Sequence, residues 1–279
     1  MEKKSYWLVA IFLLLVIGGF MFLYKKNINT LGLSLLQRIK KIDGGEVDLS
    51  KLRTEKTPIV KHELWNELLA KFVTPEGVVN YKGFIKEKAK LQKYLDLVSA
   101  NFPGKNWTKE EEMAYWINGY NAFTVKLIVD HYPVESIKDI AGKIPMINSP
   151  WDIKFFKIGG VDFDLNTIEH SILRKKFEEP RVHFSINCAS ISCPKLRNEA
   201  FTAEKLASQL EIQATYFINN PKKNKITPKE IAVSPIFNWF EADFIKKGDL
   251  LSFLQPYTKI ELTPTMPLVY LDYDWNLNE

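Results

Sequence analysis

Residues 108–133, TKEEEMAYWINGYNAFTVKLIVDHYP, hold the chain to few architectures. Thr108 and Glu111 form a capping-box pair, able to satisfy free backbone N–H groups at a helix start. Met113, Trp116, Ile117, Tyr120, Phe123, Leu127 and Ile128 then recur at helical spacing as one apolar face. The other side carries Ala114, Asn118, Asn121, Ala122 and Val125, so the helix is apolar nearly all round until Pro133. Such a helix belongs at the centre of a domain. A chain of 279 residues with 46% hydrophobic content can surround it.

That placement makes Asn118 and Asn121 informative. They sit about one helical turn apart, and a buried amide without partners costs roughly 1–3 kcal/mol. Either they tie the helix to the backbone of a neighbouring loop, or one of them lines a site and orients a substrate or a catalytic side chain.

The remaining elements fit an α+β class, with a helix-rich N-terminal part packed on an antiparallel sheet. Helical spacing predicts helices in HELWNELLAKFV, FIKEKAKLQKYLDLVSA and TAEKLASQLEIQATYFINN, with a further helical region at NWFEADFIKKGDLLSFLQPY. Trp239, Phe240 and Phe244 are expected in the core. WDIKFFKIGGVDFDL reads as a hairpin turning at Gly159-Gly160, and KITPKEIAVSPIF as two short strands. LVYLDYDWNLN reads as a last strand. Asn166 is the expected N-cap of NTIEHSILRKKF, placing Glu169 at the third helical position, where it can complete a capping box, with His170 facing another way.

The stretch RVHFSINCASISCPKL, 181–196, holds both cysteines. Val182, Phe184 and Ile186 alternate with His183, Ser185 and Asn187, which predicts a strand ending near Cys188. Were 183–188 fully extended, His183 and Cys188 would stand roughly 16 Å apart on opposite faces, so a direct pair needs a sharp turn after Asn187. Three roles are open to Cys188. As a nucleophile at a strand end, its thiolate and an oxyanion would be held by following N–H groups. It can equally be a small buried hydrophobe. A disulfide to Cys193 requires an irregular loop, because a regular helix holds residues five apart about 8–9 Å from one another. The spacing is neither C-x-x-C nor a zinc site. Asp272, Asp274 and Asn276 lack the glycine and downstream carboxylate of a calcium loop, so no metal or cofactor is expected.

At the N-terminus, WLVAIFLLLVIGGFMFLY (7–24) is an uncharged apolar run flanked by lysines, roughly 27 Å long as a helix. Trp7 and Tyr24 would sit at the two interfaces. Val16-Ile17-Gly18 is a poor cleavage site, so an uncleaved anchor is favoured over a signal peptide. Charge counting leaves its orientation open. The organisation expected is a tail at 1–6, a transmembrane anchor at 7–24, a polar spacer at 25–58 and one globular domain at 59–279. Of 38 Lys/Arg and 33 Asp/Glu, ten and five fall in 1–57, which leaves 28 of each sign in the rest. A neutral body gives no footprint for nucleic acid.

The segments YWINGYNAF, IEHSILR, HFSINCASISCP, IFNWFEADF and DYDWNLN, in this order from about residue 100 to the C-terminus, resemble the domain of unknown function 547 family. The resemblance places that family's motifs on Asn118, Tyr120, Asn121, Glu169, His170, His183, Cys188 and Cys193. It implies an extracytoplasmic domain, because bacterial members commonly carry an export signal or anchor. The domain is also similar to the papain and transglutaminase-like cysteine hydrolases. This chain departs from their order: Asn121 stands where those enzymes have the cysteine, and both cysteines follow His183. Either the arrangement is permuted, with Cys188 as nucleophile, or the fold persists without the chemistry.

The function expected is a membrane-tethered cysteine hydrolase or acyl transferase acting on an amide or peptide-like substrate in the cell envelope. Cys188 would attack, His170 or His183 would act as base, and Glu169 or an asparagine would orient the base, with Asn118, Tyr120, Asn121 and Cys193 around the substrate. A non-catalytic binding or scaffolding module is the alternative.

Overall fold

The computed structural model describes residues 56–140 and 149–279. The run at 7–24 and nearly all of the spacer lie outside the described residues. Among the described residues no helix is long and apolar enough to cross a membrane.

Four helices come first: α1 (Glu63–Phe72), α2 (Tyr81–Lys86), α3 (Lys88–Ala100) and α4 (Lys109–His131). The capping box of α4 forms as the sequence predicts: Thr108 Oγ1 accepts from the Glu111 N–H at 3.2 Å, and Glu111 accepts from the Thr108 N–H at 2.7 Å. Every residue from Glu112 to Val125 is buried, so α4 is the axis of the domain. Its rings meet the hairpin β1 (Phe156–Ile158) and β2 (Val161–Phe163), which turns through Gly159 and Gly160, both at positive φ. Phe123 stacks on Phe156 at 3.7 Å between ring centroids, and Trp116 on Phe163 at 5.9 Å. Each large side chain so buried contributes roughly 1.5–3 kcal/mol.

A π-helical segment, Thr167–Arg174, follows the hairpin. Asp164, not Asn166, caps it: Asp164 Oδ1 accepts the Thr167 N–H at 2.7 Å, whereas Asn166 is itself helical and spends its amide on Asp152. Glu169 therefore completes no capping box.

The strand expected at 181–187 is absent. Pro180–Phe184 is a tight helical turn, opened by Pro180 and by Glu179, whose carboxylate accepts the Arg181 N–H at 3.1 Å. Val182, His183, Phe184 and Ser185 are all buried, so the alternation reflected enclosure on both sides and not one core-facing edge.

The C-terminal part comprises α5 (Leu206–Ile218), β3 (Lys225–Ile226), β4 (Ile231–Val233), α6 (Ile236–Trp239), α7 (Glu241–Phe244), α8 (Leu250–Leu254) and β5 (Leu268–Tyr270). β3 and β4 pair antiparallel, but β5 returns after three helices and lies parallel to β4. The class is α+β, as expected; in place of one antiparallel sheet there are two small ones, one of them mixed. Phe184, Phe217, Phe237 and Phe244 form a second core, but Trp239 is 47% exposed and is no core residue. Past β5 the chain is a strap and not a continued strand. Asp274 and Asn276 accept from the N–H groups of Ser192 and Ile191 at 3.1 and 2.8 Å, and Asn278 accepts from the Val79 N–H at 2.8 Å.

Candidate active site

The cysteines sit on the loop 185–194, and α4 fixes that loop. Asn121 donates to Ser185 O at 2.9 Å and accepts from the Asn187 N–H at 2.8 Å. Asn187 then closes the loop on itself, donating to Pro194 O at 2.7 Å and accepting from the Ala189 N–H at 2.9 Å. These bonds hold Ala189 at φ 61°, a left-handed conformation that costs a non-glycine residue about 1–2 kcal/mol. Strain held by surrounding bonds directly beside a thiol is characteristic of functional loops.

Asn118 does the same work elsewhere, pairing with both backbone groups of Phe201 at 2.8 and 3.0 Å. Both asparagines thus tie α4 to loop backbone, behind the site and not on its surface.

The irregular loop brings the sulfurs together: Cys188 Sγ and Cys193 Sγ are 2.9 Å apart, both as free cysteines. Cys193 is 5% exposed, while Cys188 is half-buried. Cys193 Sγ also accepts from the Cys188 N–H at 2.9 Å. Cys188 Sγ further meets Ser190 Oγ at 3.2 Å and the Tyr273 hydroxyl at 3.3 Å. Burial pushes the Cys188 thiol up, but hydrogen bonds from Cys193, Ser190, Tyr273 and the Ser190 backbone outweigh it and bring it down to about 7. Burial and the neighbouring Cys188 push Cys193 the other way.

Cys188 opens on a cleft of about 170 Å³, whose walls include Tyr120, Glu169, His170, His183 and Cys193. Six of the eight residues named from sequence thus converge, and Asn118 and Asn121 stand behind them. Among the described residues the hydrogen-bond partners of Cys188 are Cys193, Ser190 and Tyr273, and no imidazole. His183 Nε2 instead bonds Asp243 Oδ2 at 2.8 Å, and Arg174 Nε donates to the same oxygen at 2.6 Å. Burial raises the Asp243 carboxyl, but the bonds from His183 and Arg174 dominate and hold it well below the usual range. Burial keeps His183 neutral at physiological pH, only partly opposed by Asp243. Since Asp243 accepts, the His183 proton sits on Nε2, which leaves Nδ1 as a bare acceptor with no hydrogen-bond partner. Arg174 also reaches His170 Nδ1 at 2.6 Å, and a guanidinium only donates, so that nitrogen is unprotonated.

The residue bonded to a cleft histidine is therefore Asp243, where the sequence offered Glu169 or an asparagine. Glu169 instead accepts from the Tyr120 hydroxyl at 3.2 Å. Asp243 and Tyr273 lie in IFNWFEADF and DYDWNLN, and both motifs were legible although neither residue was singled out. Trp239 and Trp275 stack at 5.9 Å and, with Trp151 and Phe240, make the cleft wall aromatic. Among the described residues no His, Cys, Asp and Glu cluster has the makings of a metal site.

No curated protein and no solved structure matches the chain. Residues 104–218, which carry α4, the π-helical segment and the cysteine loop, match the family model described as Protein of unknown function, DUF547, the family that the sequence motifs resembled.

Proposed function

We propose that the cleft is the centre of a cysteine-dependent hydrolase or acyl transferase acting on an amide or peptide-like substrate, in a domain that residues 7–24 tether to a membrane on its extracytoplasmic side. The observation that carries this reading is the Cys188 thiol, made acidic by hydrogen bonds on a strained loop that α4 locks from behind. Attack of its thiolate on a carbonyl forms a C–S bond. The C–N bond breaks as the amine departs with a proton carried by a cleft imidazole, His170 or His183. Water or an acceptor amine then releases the acyl group and restores the thiol.

One observation favours a second reading, a non-catalytic binding module: the partners of Cys188 are Cys193, Ser190 and Tyr273, and His183 is already engaged with Asp243. Intact-mass spectrometry of the full chain after mixing with 4-nitrophenyl acetate separates the two. Catalysis requires an acetyl adduct on Cys188 that decays with continued release of nitrophenolate and is absent in Cys188→Ser. A chain that forms no adduct, or one that never turns over, is the binding module.

A further inference from the structure

Glu169 is 92% buried, being 8% exposed, and it lines the cleft. Among the described residues its side chain accepts one hydrogen bond, from Tyr120, and forms no ion pair with a lysine or arginine. The guanidinium on its own segment, Arg174, is already shared between Asp243 and His170. A buried carboxyl group needs hydrogen-bond or charge partners, and Tyr120 supplies one bond only. Asn166 also stands on the cleft wall, where it uses its amide N–H on Asp152 and no described donor reaches its Oδ1. The cleft wall thus carries acceptors at Glu169 and Asn166 together with aromatic rings whose faces attract cations; Phe240 already receives Arg174, and Trp151, Trp239 and Trp275 line the cleft as well.

We infer that Glu169, with Asn166 and the aromatic wall, forms a recognition site for a primary ammonium group, so the ligand of this cleft is an amine whose charged end sits at Glu169 and whose apolar body lies along the rings. If the proposed acyl-transfer reading holds, it follows that the substrate carries its free amino group on one side of the carbonyl that Cys188 attacks; the ammonium site itself needs only the cleft.

The test is calorimetric binding to the full chain of 2-phenylethylamine and of 2-phenylethanol, nearly the same in shape but without the charge. The wild type should bind the amine at least about tenfold more tightly than the alcohol, a modest value for a charge pair in a partly enclosed site. Glu169→Gln should erase that preference and Glu169→Asp should retain it, with melting curves reporting that each variant is folded. Equal affinity of wild type for the two compounds, or binding of neither at millimolar concentration, overturns the site. Iodoacetamide labelling of Cys188 in the same preparations tests the catalytic reading separately: amine preference with an inert thiol leaves the ammonium site standing and removes the nucleophile, and a reactive thiol without amine preference does the reverse.

Discussion

Replacing Asn121 with leucine keeps the helix and approximate volume but removes a donor and an acceptor from a position only 2% exposed. Two backbone groups lose their partners, the Ser185 carbonyl and the Asn187 N–H, bonded at 2.9 and 2.8 Å. Each orphaned buried group costs about 1–3 kcal/mol, so a loss of roughly 2–5 kcal/mol is expected, or about 5–15 °C in melting temperature for a domain of this size. Asn118→Leu orphans two equivalent groups on Phe201 and should cost the same. The two variants must differ at the thiol. Asn121→Leu frees the loop that presents Cys188 to Ser190 and Tyr273, so alkylation of Cys188 should move to higher pH, whereas Asn118→Leu should leave it in place. Thermal melts together with pH-resolved iodoacetamide labelling read both effects. Wild-type melting of Asn121→Leu, or an equal labelling shift in both variants, would refute the clamp.

Ala189→Val should lose roughly 2 kcal/mol or more in urea melts, because a β-branched residue resists φ near +60°, while Ala189→Gly should be neutral or slightly stabilising. Asp243→Asn breaks the bonds to His183 and Arg174 and should cost about 1.5–3 kcal/mol, also by urea melts. The folded Asp243 carboxyl lies below its unfolded value, so its contribution is complete above about pH 4–5 and fades as pH falls further. The stability gap between wild type and Asp243→Asn should therefore hold from pH 7 to about 5 and close in stronger acid. Because folding also depresses Cys188, the stability gap between wild type and Cys188→Ala should widen as pH rises from about 7 towards about 8.5.

What the sequence disclosed follows from how local each signal was. The all-round apolar pattern of 112–125 and the cost of burying an amide placed α4 and required partners for both asparagines, and the Gly159-Gly160 turn fixed the hairpin. The stretch 181–187 misled because a turn enclosed on every side also alternates by residue type. Asp243 and Tyr273 reach their partners across 60 and 85 residues, a separation no local pattern encodes. The irregular course of 185–194 depends on bonds from α4 and the C-terminal strap, so the meeting of the two sulfurs was equally hidden.

The central claim, an acidic thiol at Cys188 set by its neighbours, is tested most directly by labelling the full chain with iodoacetamide from about pH 5 to 9. Peptide mapping then assigns alkylation to each cysteine in wild type, Ser190→Ala and Tyr273→Phe. Cys188 should react with a midpoint near 7, Cys193 should lag, and both variants should move Cys188 towards the ~8.5 of an ordinary cysteine. A native protein in which Cys188 reacts only at ~8.5 or above, or not until it is denatured, contradicts the account.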